Sequence, residues 1–363
     1  MGAATTPDIG SGEVLIYDEG NGGRLRFNRP SVIHALNARM CGSMIVALLE
    51  WANRSDINVV LLDHAEGRGF CAGGDLVTLI DSVMRQDGQA EIYLRSKYQL
   101  DHLLFTYAKP IVAFMDGIVM GGGVGIAQPC RYRVATERTL YAMPETKIGS
   151  FPDAGSGRYL SRLPGRIGQY VGLTGARLSG EDCVALGIAT HFVPFDRVDD
   201  LKAALLTTTA GSAEVLARFE ALPPPSPVLT LQPMIDRLFA SDRYEDLLIA
   251  LAEDRGEWAA SQYALLEKLS PQGCRITLQL LARGAGIKDF AEEMAMEFAV
   301  ASRVVRSAEF IEGVRALIIE KRSPRWGESG SGHETDLYID SFFAPLSPEK
   351  TWRPLIIGGA DGV

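Results

Sequence analysis

Between Met120 and Gly157 the chain reads MGGGVGIAQPCRYRVATERTLYAMPETKIGSFPDAGSG. A glycine cluster opens this stretch, and two carboxylates, Glu145 and Asp153, close it. Glycine lets a backbone approach a ligand closely, and free N–H groups at a helix start attract negative charge. A carboxylate can attack a carbonyl, take a proton or give one. One segment thus supplies both halves of an acyl-transfer site: a holder for an oxyanion and a group that acts on the carbonyl.

Each acid follows a proline, in Met143-Pro144-Glu145 and Phe151-Pro152-Asp153, so each sits on a constrained loop. Apolar neighbours such as Met143, Ile148 and Phe151 would raise a carboxyl pKa by desolvation. From spacing alone a surface or structural role is still the commoner one. A lone glycine cluster is explained equally well by close helix packing. A second loop, Phe70-Cys71-Ala72-Gly73-Gly74-Asp75, shifts that balance. Two glycine-rich loops, each running into a helix, can offer one N–H apiece to a single oxygen, which is the geometry of an oxyanion hole.

Other chemistries fit less well. The cluster Gly121-Gly122-Gly123-Val124-Gly125 has Ile126 where a dinucleotide fingerprint needs its last glycine, and no Gly-Lys-Ser/Thr follows. The five histidines show no metal-ligand spacing, so no metal is expected. There is no G-x-S-x-G elbow. Cys71 lies in the second loop but has no adjacent histidine partner, and a small buried residue is its simpler role. The five cysteines form no C-x-x-C pair and read as free thiols.

The elements that must position these residues alternate between strand and helix, an α/β pattern. Val14–Tyr17 and Arg24–Phe27 read as strands around a glycine-rich turn. Asn37 reads as the cap of a helix with Met40, Met44, Ala47, Leu48 and Trp51 on one face. Residues 58–62 (NVVLL) and Pro110–Met115 read as buried strands, with Ala90–Tyr107 a long helix between them. His64–Gly74 reads as a loop with Asp75 at the following helix start, and Gly117–Gly125 as a turn into a helix. From Pro164 on, the pattern is mostly helical. Residues 222–228 (LPPPSPV) form a rigid connector. A stripe of Met294, Phe298, Ala301 and Val305 needs a partner surface. Gly327–His333 reads as a flexible loop. The expected units are a core over 13–222, a helical region over 229–327 and a tail over 328–363.

Composition sets outer bounds. The 363 residues are 47% apolar and 22% charged, with a net charge of −9. No basic stripe suits a nucleic acid, and no apolar run approaches the roughly 20 residues that span a bilayer. The first residues read as neither a secretory signal nor an arginine-rich presequence. A cytoplasmic protein is expected, or a matrix protein if the chain is a processed organellar form.

Taken together, the motifs resemble the enoyl-CoA hydratase/isomerase (crotonase) superfamily, and within it the 3-hydroxyisobutyryl-CoA hydrolase-like branch. The matching runs are Asn28-Arg29-Pro30 with His34-Ala35-Leu36-Asn37, Gly69 to Asp75, Met120 to Gly125, Ala142 to Thr146, and Phe151-Pro152-Asp153. Gly187 to Val193, Lys268-Leu269-Ser270-Pro271 and Glu312 to Ala316 continue the match, over roughly residues 13 to 327. The resemblance implies a superhelix of ββα units with a helical C-terminal region. It also implies an acyl-CoA substrate, with coenzyme A as part of that substrate and no separate cofactor.

Carried across, the oxyanion N–H groups fall on Gly74 and Gly122, and the catalytic carboxylates on Glu145 and Asp153. The backbones of Ala35, Leu36, Cys71 and Ala72 would line the CoA-adenine end. Asp75, Lys97 and Gly122 complete the implied substrate contacts. Hydratases of this superfamily use two glutamates, one of them two residues past the GGG cluster, where this chain has Gly125. The hydrolases usually carry a glutamate that contacts substrate where this chain reads Arg95-Ser96-Lys97-Tyr98, and a lysine cannot accept a hydrogen bond. The implied reaction is hydrolysis of a short 3-hydroxyacyl-CoA thioester, 3-hydroxyisobutyryl-CoA in valine breakdown. Isomerase or hydratase chemistry is the alternative, and a non-catalytic CoA-binding protein the third. The C-terminal helices of such proteins mediate homo-oligomers, trimers or dimers, or fold back over the active site.

Overall fold

Gly20, at φ +61°, turns the chain between strands β1 (Val14–Glu19) and β2 (Gly22–Phe27), which pair antiparallel. A side chain at Gly20 would run into the Leu206 carbonyl, so turn and packing both require glycine there. Gly23 on β2 leaves room for the Trp51 indole, whose Nε1 donates to Asp18 Oδ1 at 2.8 Å. Trp51 ends the apolar face of helix α1 (Ala38–Ala52). Asn37 caps that helix by accepting the Met40 N–H at 2.9 Å, as its side chain favours. The computed structural model describes residues 12–207, 210–327 and 333–355.

Strand β3 (Val59–His64) runs parallel to β2 and leads into the loop ending at Asp75. Asp75 caps helix α2 (Leu76–Arg85) through the Thr78 N–H. The long helix α3 (Gln89–Thr106) follows, then β4 (Ile111–Met115). The structure differs from the sequence reading at 117–125. Gly117, at φ +71°, redirects the chain into a short strand, β5 (Ile118–Met120), before helix α4 (Gly122–Ala127) begins. Three residues are too few to show a strand period. This one exists because it pairs with β7 (Leu140–Ala142) and bridges Cys71 through Val119.

Strand β6 (Tyr132–Ala135) precedes β7, and the short helix α5 (Ser156–Leu160) comes after it. Strands β8 (Leu178–Ser179) and β9 (His191–Phe192) complete the set. Six strands form one sheet in the order β1-β2-β3-β4-β6-β9, and three form a second in the order β5-β7-β8. Successive turns place β4 and β6 in the large sheet and their partners β5 and β7 in the small one. This is a superhelix of ββα units, and the parallel central strands β3 and β4 are buried except at His64.

Residues 220–226 are without regular structure and end at helix Pro227–Leu238, as a proline-rich connector would. The helix Phe290–Val304 carries the predicted stripe. Met294, Phe298, Ala301 and Val305 are all buried inside the chain, and Phe298 meets the Tyr98 ring of α3 edge-on at 5.9 Å. The partner surface of this stripe is therefore the core itself. The stretch read as a tail holds helix His333–Phe342, with Ile339, Phe342, Phe343 and Trp352 buried. The loop predicted over Gly327–His333 falls largely outside the described residues. No helix among the described residues is long and apolar enough to cross a membrane.

Candidate active site

The two glycine-rich loops meet. Leu36 N–H donates to the Gly73 carbonyl and Asp75 N–H to the Leu36 carbonyl, both at 2.8 Å, so the Gly74 N–H is left off this ladder. Gly73 has φ +119° and Gly121 φ +53°, conformations that only glycine holds without strain. A Cβ placed on Gly122 would lie 3.4 Å from Gly74 N. The backbones of Gly74 and Gly122 are thus close neighbours, and Gly122 opens α4, where the first N–H groups have no intrahelical acceptor.

His34 holds this arrangement from behind. It is fully buried, at φ +56°. Its Nδ1 accepts the Arg29 N–H, and its Nε2 pairs with the Glu66 carbonyl, both at 2.9 Å. A carbonyl can only accept, so the proton sits on Nε2. Burial, and then nearby Arg29, lower the pKa of this ring. The sequence showed His34 only as part of a motif; its bracing role needs two loops brought together.

Glu145 stands at the start of a tight turn, Glu145–Ile148, after β7. It is 9% exposed, and its Oε2 is buried without a hydrogen-bond partner. Burial, and secondarily Asp153, push its carboxyl up to about 8. Its Oε1 would lie 3.0 Å from a Cβ on Gly121, so the acid faces the glycine loop. Asp153 accepts Lys97 Nζ at 2.8 Å and the Tyr98 hydroxyl at 3.1 Å, both from α3. Lys97 also lies 3.7 Å from Asp101 Oδ2. Burial lowers the Lys97 pKa, but the carboxylates of Asp153 and Asp101 more than offset this and raise it. Asp101, wholly buried, is pushed up to about 7 by desolvation first and Asp153 second, against the pull of Lys97.

The turn after Asp153 is pinned by the C-terminal region. Glu297, on helix Phe290–Val304, accepts the Gly155 N–H at 2.7 Å and the Gly157 N–H at 3.1 Å. Burial raises the carboxyls of both Glu297 and its neighbour Glu293. Two N–H donors on Glu297 favour placing the charge there. Sequence reading missed this residue, because a glutamate on an apolar helix stripe carries no local sign of its backbone partners.

A cavity of about 330 Å³ joins these groups. Ala72, Gly74, Lys97, Gly122, Glu145 and Asp153 line it, and Ala301, Val304, Val305 and Phe310 close it from the C-terminal side. A second cavity of about 320 Å³ is lined by Leu36 and Asp75, and the two share Leu79 and Tyr93. Ala35 and Cys71 line neither of these two cavities. Cys71 Sγ is turned toward the His34 carbonyl at 3.2 Å, and burial pushes its thiol up to about 12. That is a structural thiol, like the other four cysteines, all buried. Among the described residues no cluster of His, Cys, Asp or Glu is arranged to hold a metal ion.

A superhelix of ββα turns, with two glycine-loop backbones beside a buried carboxylate, is the fold of an acyl-CoA enzyme family. The family model for enoyl-CoA hydratase/isomerase matches residues 22–343, and the chain belongs to that family. It is 36% identical over 352 residues to a protein named 3-hydroxyisobutyryl-CoA hydrolase, mitochondrial, from Xenopus tropicalis, covering 94% of this chain and 91% of that one. Among solved structures it resembles a carnitinyl-CoA dehydratase from Mycobacterium thermoresistibile, with TM-score 0.88 and 34% identity, covering 94% of this chain and 98% of that one. An enoyl-CoA hydratase from Rhodobacter sphaeroides 2.4.1 is similar at TM-score 0.86 and 34% identity, covering 94% and 99%.

Proposed function

We propose that this protein hydrolyses a short 3-hydroxyacyl-CoA thioester, with 3-hydroxyisobutyryl-CoA as the substrate. The observation that carries this reading is at Gly125. A Cβ there would lie 2.4 Å from Ala154 Cβ and 3.4 Å from Asp101 Oδ2. The place from which the second glutamate of a hydratase projects is filled, so one of the two acids that hydration needs is missing. Asp101 is no substitute: it is fully buried and does not line the cavity.

In this reading the thioester oxygen lies between the Gly74 and Gly122 N–H groups. Stabilising the developing charge there contributes about 3–4 kcal/mol per donor in comparable sites. Glu145 either attacks the carbonyl, breaking the C–S bond to release the coenzyme A thiolate and leaving an anhydride that water cleaves, or takes a proton from a water whose attack breaks the same bond. Asp153, oriented by Lys97 and Tyr98, accepts the hydrogen bond of the substrate hydroxyl that Lys97 cannot accept. The names of the Xenopus relative and of the two solved structures divide between hydrolase and dehydratase or hydratase. The test separates them. Thiol release is followed over short 3-hydroxyacyl-CoA and plain acyl-CoA thioesters, alongside loss of the double bond in enoyl-CoA substrates. Thiol release that is fastest with 3-hydroxyisobutyryl-CoA supports the proposal. Double-bond turnover without thiol release overturns it, and so does coenzyme A binding with neither reaction.

A further inference from the structure

Among the described side chains that line the main cavity, two carry a buried polar atom with no hydrogen-bond partner: Glu145 at Oε2 and Tyr93 at its hydroxyl. The first has a role in the reading above. The second has none. Tyr93 is 8% exposed and sits on α3 one helical turn before Lys97, so the two share a face. Tyr93 lines both cavities, so it stands in the wall they share. Its hydroxyl is also close to the oxyanion loop: a Cβ on Gly74 would come within 2.5 Å of it. Glycine at 74 is what leaves room for this oxygen.

Buried hydroxyls in folded proteins are almost always paired, because an unpaired one loses its water without replacement. A tyrosine kept unpaired beside the Gly74 loop, in the wall shared by two cavities, is best explained by a partner that arrives with the ligand. We infer that the Tyr93 hydroxyl donates a hydrogen bond to the carbonyl oxygen of the bound thioester, as a third donor beside the Gly74 and Gly122 N–H groups. Burial keeps the phenol protonated and hence a donor. The phenylalanine ring has the same shape without the oxygen, so Tyr93→Phe removes the donor and little else.

This inference rests on the cavity being a thioester site, and the experiment keeps the two apart. Y93F is compared with wild type in three measurements: kcat/KM by thiol release, the Kd of free coenzyme A, and the Kd of a ketone analogue of isobutyryl-CoA in which a methylene replaces the ester sulfur. The expected result is a fall in kcat/KM of roughly 10- to 100-fold, the range for a donor to a developing charge. Ketone binding weakens about 5-fold, within the range for a neutral hydrogen bond. Free coenzyme A binding stays within twofold, and the Tm is unchanged or higher because no bond is lost in the empty protein. Unchanged ketone binding in Y93F overturns the inference, as does equal weakening of free coenzyme A. If wild type hydrolyses no thioester, the functional reading fails, while the ketone comparison still decides the role of Tyr93.

Discussion

Lys97 Nζ lies 2.8 Å from Asp153 Oδ2, in a pair whose lysine side chain is only 4% exposed. At the position where the family resemblance implies a substrate-contacting acid, this lysine is turned onto Asp153 instead. It also faces the buried Asp101. A buried ion pair is weak evidence of stability, but breaking one by removing a partner is costly.

Replacing Lys97 by Met should therefore destabilise the fold by roughly 3–5 kcal/mol, the range for an uncompensated buried charge. The loss should be smaller at pH 5 than at pH 8, because Asp101, already shifted up to about 7 with Lys97 present, takes a proton as the pH falls. Denaturant unfolding at the two pH values measures this directly. Equal losses at both would show that the charge at position 97 is not what matters.

Glu145→Gln should abolish thioester hydrolysis and leave coenzyme A binding intact. It should also raise the Tm. Burial raises the Glu145 carboxyl to about 8 in the folded protein, above its ordinary 4.5. A raised pKa means that the stability contributed by protonated Glu145 is complete below about pH 4.5 and is lost as pH rises through 8. The Tm advantage of E145Q should accordingly grow between pH 5 and pH 8 and then level off, a trend that calorimetry can follow.

The same shift sets the pH dependence of the reaction. In the proposed mechanism Glu145 must be deprotonated to attack or to activate water, so kcat/KM should rise with pH and flatten near 8. A profile already flat at pH 5 to 6 would mean that the working carboxylate is not this one.

Glu297 holds the Asp153 turn by two backbone N–H groups. In Glu297→Gln one of the two accepting oxygens becomes an NH₂ group that can only donate. The expected effect is about a tenfold fall in kcat with KM within threefold, because the glycine loops are untouched. Faster amide exchange of residues 153–157 should accompany it. Glu293→Gln, which keeps a neutral donor beside Glu297, should retain most of the activity. If E293Q loses as much as E297Q, the pair serves packing and not the turn.

Much of this protein was legible in the residue order. Asn37 and Asp75 announced helix starts because caps are local hydrogen bonds within three residues. The strands β3 and β4 showed as apolar runs, and the paired glycine loops with Glu145 and Asp153, singled out by residue type alone, line one cavity in the fold. Tertiary structure decided what local order cannot encode. Strand β5 exists through its pairing with a strand some twenty positions on and its bridge to Cys71. The Met294 and Phe298 stripe needed a partner, and only the fold shows that the partner is α3. Lys97 looked like the loss of a carboxylate until its ammonium was seen on Asp153, 56 positions away. Glu297 reaches Gly155 across 142 positions. Chemistry-bearing residue types can be read from a sequence because a side chain carries its reactivity with it. Its partners, burial and pKa depend on which distant segments pack against it, and that is settled only when the chain folds.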